Sequence, residues 1–159
     1  FIAVYYSEEK ITVPKFSADH IPDGKAQHES LRHLLQLEEL VEKKRDTFFK
    51  YKKHLSEIDG IKFIEEREGD RANYCYPSIL LEDNINVDRD LILSVLKDNN
   101  IHARPGFPRM SEFPTLIKSF ENKNAELAEK RGISLPSAAN IDDEDIKFVC
   151  DVIKGLINS

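Results

Sequence analysis

From about Glu29 to Ile58 the chain places Leu34, Leu37, Val41, Phe48, Tyr51 and Leu55 at alternating spacings of three and four, which predicts one apolar seam along a helix. Lys44 alone interrupts the seam. At 1.5 Å per residue such a helix spans roughly 45 Å, more than a domain of this size readily covers, so part of the seam is expected to meet something outside it. The other face, Glu38, Glu39, Glu42, Lys43, Lys44, Arg45 and Asp46, is expected to be solvated, with i,i+4 ion pairs contributing about 0.2–0.5 kcal/mol each.

Before this helix, Phe1-Ile-Ala-Val-Tyr-Tyr and Ile11-Thr-Val-Pro are β-branched or aromatic runs around the polar Ser7-Glu-Glu-Lys, and predict a short hairpin. Asp19, Pro22, Asp23 and Gly24 mark a linker, so residues 1–28 read as hairpin and linker and residues 29–159 as the main domain. After the helix, Asp59-Gly60 turns the chain into a strand carrying Ile61, Phe63 and Ile64. Glu65 to Arg71 reads as a hairpin tip, and Asn73 to Leu81 as the return strand, with Pro77 suggesting an edge position or a bulge.

Asn84 to Asp88 offers capping residues for a helix whose stripe is Val87, Leu91, Val95 and Leu96, ending at Asn99-Asn100. Ile101 to Arg104 predicts a short strand. A helical turn is expected over Glu112 to Lys118, and a helix over Lys123 to Lys130, stopped by Gly132. The carboxylates of Asn140-Ile-Asp-Asp-Glu-Asp suit the N-terminus of a final helix with the stripe Ile146, Val149, Cys150, Ile153 and Ile157. Strands and helices in this order imply an α+β fold: a small, mostly antiparallel sheet with helices packed on one face, plus one long N-terminal helix.

Composition narrows the function classes. With 159 residues, a net charge of −6 and 33% charged residues, the chain lacks the basic surface that a nucleic acid or an anionic membrane requires. No apolar run is long enough to span a bilayer, and no signal-like start is present. Cys75 and Cys150 fit no metal-ligand spacing, so reduced thiols in the cytoplasm and no metal site are expected. The chain begins at Phe1, which suggests a piece of something longer.

The stretch from Ile101 to Ser137 holds four of the seven prolines. Arg104-Pro105 and Phe107-Pro108 predict rigid, non-helical backbone. An arginine so held suits a phosphate or carboxylate, and Phe107 suits a ring; a plain connector with a solvated arginine has the same composition. His102 reads as a strand residue, because nothing in the sequence supplies a group to orient it as a base. Gly-rich phosphate loops, a GxSxG elbow, HExxH and a cysteine with a histidine partner are all absent, and Asp142 and Asp145 read as capping residues. No catalytic residue is assigned.

Asn73-Tyr74 entering a strand, Arg89-Asp90 opening a helix, Ile101-His-Ala-Arg-Pro, Phe113-Pro, Arg131-Gly-Ile-Ser-Leu-Pro-Ser and Asp145-Ile-Lys-Phe-Val-Cys-Asp-Val-Ile occur in an order and spacing that resemble the C-terminal part of the DegT/StrS family. These are pyridoxal phosphate (PLP)-dependent nucleotide-sugar aminotransferases, and the likeness is to the perosamine-synthase-like members. Leu37 to Tyr51 is similar to the family's long helix between its large and small domains. The likeness runs from about Leu31 to Asn158.

The resemblance implies the C-terminal domain of a type I aminotransferase fold, a homodimer or a large-domain partner, and amino transfer from glutamate to a keto-sugar nucleotide in polysaccharide or antigen biosynthesis. In the family the Schiff-base lysine lies in the large domain. No lysine here has the family's Gly-Glu-Gly-Gly context, and Gln27-His-Glu-Ser-Leu-Arg replaces its Asn-x-Arg element. This chain alone is therefore expected to bind no PLP and to transfer nothing. Arg104, in the family's Thr-Arg position, is the expected substrate contact, with Asn73 and Tyr74 near it; the residues that hold the cofactor are unassigned. A stand-alone, non-catalytic interaction module with the same fold is the competing expectation.

Overall fold

The final helix, α4 (Asp143–Ile157), starts where the sequence predicts it. The Asp142 carboxylate accepts a hydrogen bond from the Asp145 amide at 2.8 Å, and three acids sit in the first turn. Ile146, Val149, Cys150 and Ile153 are buried. The computed structural model describes residues 24–113 and 122–158; the hairpin expected over Phe1 to Pro14, the linker as far as residue 23, and all but the first two residues of the helical turn expected over Glu112 to Lys118 lie outside the described residues.

The long helix α1 (Gly24–Leu55) has 32 residues, about 48 Å at 1.5 Å each. It begins five residues earlier than expected, so residues 24–28 are helical rather than linker; glycine is tolerated in a first helical turn, and the turn signal marked a helix start. It ends at Leu55, short of Ile58. The seam is divided. Phe48, Tyr51 and Leu55 are fully buried, each contributing about 1.5–3 kcal/mol, whereas Leu37 and Leu40 are 44% and 39% exposed.

Strands β1 (Ile61–Phe63), β2 (Ser78–Leu81), β3 (Arg104–Pro105) and β4 (Gly132–Ser134) form one antiparallel sheet in the order β1-β2-β4-β3. Gly60, at φ +92°, makes the turn into β1, and a Cβ there would meet the Asn84 side chain at 2.3 Å. The 64–77 connection turns at Gly69, φ +85°, as the expected hairpin tip. The return strand is shorter than predicted and is an inner strand. Pro77 lies just before it, neither at a sheet edge nor at a bulge, and its carbonyl accepts from the Leu135 amide at 2.8 Å.

Helix α2 (Arg89–Asp98) is capped by Asp88, whose carboxylate accepts from the Asp90 amide. Its buried residues are Ile92 and Leu96, not the expected Leu91, which is exposed; α4 packs against the neighbouring face and turns the stripe by one residue. The strand expected over Ile101 to Arg104 is instead Arg104–Pro105, an edge position that tolerates proline's missing amide. A short 3-10 turn spans Met110–Glu112. Helix α3 (Lys123–Arg131) ends at Gly132, where the unexpected strand β4 begins at once.

Register gives the sheet two unlike faces. Ile61 with Leu81, Phe63 with Ile79, and Ile79 with Ile133 are paired, so these side chains share one side. There they join Tyr51, Leu55, Ile92, Leu96, Ile146 and Ile153 in a single apolar core beneath α1, α2 and α4. The opposite side carries Ser78, Ser134 and Arg104, also register partners.

Candidate functional site

The polar side of the sheet opens into a cleft of about 280 Å³ lined by Lys44, Cys75, Tyr76, His102, Arg104 and Ser134 to Ala138. Each wall follows from the local fold. Ile101 and Ala103 turn into the core, which leaves His102 and Arg104 facing the cleft. Ser134 stands beside Arg104 in register, and its hydroxyl lies 3.1 Å from that of Ser78, which donates to the Tyr76 carbonyl at 3.0 Å.

The segment beyond β4 is held from both sides. From α1, the Tyr51 hydroxyl donates to the Pro136 carbonyl at 3.0 Å, and the Lys44 ammonium donates to the Ser137 carbonyl and, at 3.3 Å, to its hydroxyl. The Ser137 hydroxyl in turn donates to the Cys75 carbonyl at 2.6 Å. Lys44 is thus no solvated surface residue. The break it makes in the apolar seam is the sequence signal for this rim, whereas Ser134 and Ser137 stood only within the family-like stretch Arg131 to Ser137.

Arg45 also departs from the expected solvated face. Its side chain is 16% exposed, forms a bidentate pair with Glu66 at 2.8 Å, donates to the Ala72 carbonyl, and lies 5.4 Å from the Tyr74 ring. The hydrogen bonds from Arg45 hold the Glu66 carboxyl below the usual carboxylate range. Tyr74, at φ +44°, stacks on Phe48 with ring centroids 3.7 Å apart, and its hydroxyl accepts from the Glu66 amide. Burial raises its phenol.

Of the expected substrate contacts, the structure brings only Arg104 to the cleft. Asn73 accepts from the Cys75 amide at 3.1 Å in a local turn, and Tyr74 is buried in the aromatic stack, so neither lines it. Phe107 is exposed and also stands apart from the lining. Two residues that the sequence did not single out do line it: Cys75 and Tyr76, the latter 53% exposed.

The cleft is electrostatically one-sided. Lys44, His102 and Arg104 line it, and among the described residues no carboxylate does. Arg45, Arg71, Arg89, Arg109 and Arg131 all pair with acids. Arg104 has no such partner among the described residues. An arginine on a fixed strand with no described acid beside it, in a molecule whose net charge is −6, suits an anionic group.

Among the described residues no helix is long and apolar enough to cross a membrane, and no cluster of side chains could hold a metal ion. Both cysteines are free; burial pushes the Cys150 thiol up to about 12, which leaves it inert.

Comparison with known proteins places the fold and the sequence in one group. GDP-perosamine synthase of Vibrio cholerae is 28% identical over 128 residues, which cover 79% of this chain and 35% of that enzyme. The solved structure of DesI in the presence of its TDP-sugar product matches with a TM-score of 0.69 at 25% identity, covering 78% of this chain and 33% of DesI. Helicobacter pylori PseC, an aminotransferase involved in the biosynthesis of pseudoaminic acid, matches in fold with a TM-score of 0.71 at 19% identity, over 80% of this chain and 35% of PseC. The chain spans about a third of the length of the curated relatives it matches. Residues 30–154 match the DegT/DnrJ/EryC1/StrS aminotransferase family, and the chain belongs to that family.

Proposed function

We propose that this chain supplies the small domain of a PLP-dependent sugar aminotransferase, which moves an amino group from glutamate to a keto-sugar nucleotide in polysaccharide or antigen biosynthesis. Residues 29–159 form that unit, and its polar sheet face is one wall of the substrate cleft. The observation that carries this reading is Arg104, which on β3 has no acidic partner among the described residues, in a cleft that no described carboxylate lines. Asn73 and Tyr74 serve the same wall indirectly, by shaping the loop that presents Cys75 and Tyr76.

Enzymes of this family use PLP, which when bound acts as an electron sink at the carbon that gains or loses the amino group. The described residues do not fit that cofactor. Lys44, the lysine of the cleft, is tied to Ser137, and no carboxylate stands there to meet a pyridinium nitrogen. The cofactor lysine then belongs to a large domain, in the same polypeptide or in a partner, and this chain alone transfers nothing. A homodimer in the cytoplasm fits the exposed apolar positions Leu37 and Leu40 on α1 and the free thiol of Cys75.

The test is steady-state kinetics of the assembled enzyme. Arg104→Ala should raise the KM for the sugar nucleotide or lower kcat/KM, with the cofactor's absorption unchanged. Unaltered kinetics would remove Arg104 from the site.

A second reading, a stand-alone interaction module, is favoured by one observation: among the described side chains of α1, Leu37 and Leu40 are exposed, and the buried ones begin only at Thr47. Light scattering separates the two. A module gives a closed oligomer lost on Leu37→Glu, with no aminotransferase activity from any large-domain partner.

A further inference from the structure

We infer that Glu66 is a positioning residue: gripped by Arg45 of α1, its carboxylate holds residues 72–76 in the bent form that brings Cys75 and Tyr76 together at the cleft. The inference rests on the aminotransferase reading for the reaction it serves, and on the geometry of this chain for the hold itself. An extended segment sends successive side chains to opposite sides. Cys75 and Tyr76 nevertheless both line the cleft, because the backbone bends just before them at Tyr74, whose φ of +44° is one that a bulky residue rarely adopts. Backbone of this kind persists only where its surroundings impose it.

Those constraints meet at Glu66. One carboxylate oxygen accepts from Arg45 Nη2 at 2.8 Å, and the other accepts from Arg45 Nη1 at 2.8 Å and from the Ala72 amide at 2.6 Å. Arg45 Nη1 also donates to the Ala72 carbonyl, so one ion pair holds both backbone groups of Ala72. The Glu66 amide donates to the Tyr74 hydroxyl at 3.1 Å, which fixes the far end of the ring stacked on Phe48. Asn73 and Ser137 bond the Cys75 amide and carbonyl, and so secure the exit of the turn but not its entry.

Burial sets this pair apart from its neighbours. The Arg45 and Glu66 side chains are 16% and 20% exposed, whereas Arg71, which ties the same connection to Glu38 and Glu42, is 47% exposed. Exposed pairs of the latter kind contribute little. A sheltered, bidentate pair that also satisfies a backbone amide and carbonyl fixes geometry.

Residue-resolved hydrogen exchange of the parent chain and Glu66→Gln, together with steady-state kinetics of the assembled enzyme, tests this. Glutamine keeps the shape of the side chain and removes the charge that Arg45 grips. The amides of Ala72 and Cys75 should exchange about tenfold faster or more, as loss of a hydrogen bond to a charged group implies, while those of Ile79 and Ile133 keep their parent rates. The KM for the keto-sugar nucleotide should rise about threefold or more, with the rate of taking the amino group from glutamate unchanged. A general loss of folded enzyme would instead lower both rates in proportion and leave KM alone.

Parent-like exchange at Ala72 and Cys75, or exchange raised equally at Ile79 and Ile133, would overturn the positioning role. If the turn loosens and Arg104→Ala alters the kinetics but Glu66→Gln does not, the positioning role falls and the aminotransferase reading stands. If the turn loosens and neither variant alters the kinetics, the hold on the turn stands and the aminotransferase reading falls.

Discussion

The two faces of the four-stranded sheet are built from alternate residues of the same strands and have opposite tasks. Ile79 and Ile133 meet on one side and are fully buried under three helices. Ser78 and Ser134 meet on the other, one residue away, and border a cationic cleft. Because a strand's side chains alternate, the three residues of β4 serve the core through Ile133 and the cleft through Ser134 at once. Side chains on the first face hold the domain together. Arg104 and His102, on the second, are exposed and line the cleft.

Substitutions should separate these tasks. Ile133→Ala should have the largest effect, lowering unfolding free energy by about 2–5 kcal/mol in urea titrations, since it opens a cavity where β4 meets the helices. Arg45→Ala should cost about 1–3 kcal/mol, because it leaves the half-buried Glu66 carboxylate and the Ala72 carbonyl without their donor. This pair also gives a pH signature. Glu66 has a lower pKa folded than unfolded, so its contribution is fully present above the unfolded value of about 4.3 and is lost as pH falls through the folded value. Urea midpoints of the parent and Glu66→Gln should therefore converge on acidification.

Tyr51→Phe should cost about 1 kcal/mol, the net value of its bond to the Pro136 carbonyl, and should loosen the cleft rim as well as the core. Hydrogen exchange at residues 135–138 would show the loosening. Arg104→Ala should change stability least, by no more than about 0.5 kcal/mol, because the side chain is exposed and has no ion-pair partner among the described residues. A larger loss would mean that Arg104 belongs to the structural side of the sheet.

How far the sequence carries this picture depends on how local each signal is. Helices α2, α3 and α4 are written in capping residues and nearby stripes, and they appear close to where those residues place them. Strand β4 is not. Gly-Ile-Ser between a helix stop and Leu135-Pro136 is too short to show alternation, and it becomes a strand only because β2, more than fifty residues earlier in the chain, pairs with it. Pro77 was misplaced for the same reason, since its neighbours arrive from distant parts of the chain.

Arg104 stands out in the sequence because prolines fix the backbone beside it and because the family motif surrounds it, and the structure places it at the cleft. Lys44 was readable only as an anomaly in a seam; its partner Ser137 is 93 residues away. Asn73 and Tyr74 drew attention through the same motif, but their polar atoms are occupied by Cys75 and Glu66 in shaping the loop. Tyr76, the exposed aromatic of that loop, carried no periodic signal at all.

The separation of the two faces is tested most directly by urea unfolding of the parent chain and Arg104→Ala, each with and without saturating GDP. A ligand held by the native state alone raises the unfolding free energy by RT ln(1 + [L]/Kd), about 2.7 kcal/mol at a hundredfold excess over Kd. The two proteins should unfold at the same urea concentration without ligand, and GDP should stabilise the parent far more than the variant. Equal stabilisation of both, or a variant that is already unstable without GDP, would contradict the division of the sheet into a face that holds the fold and a face proposed for the ligand.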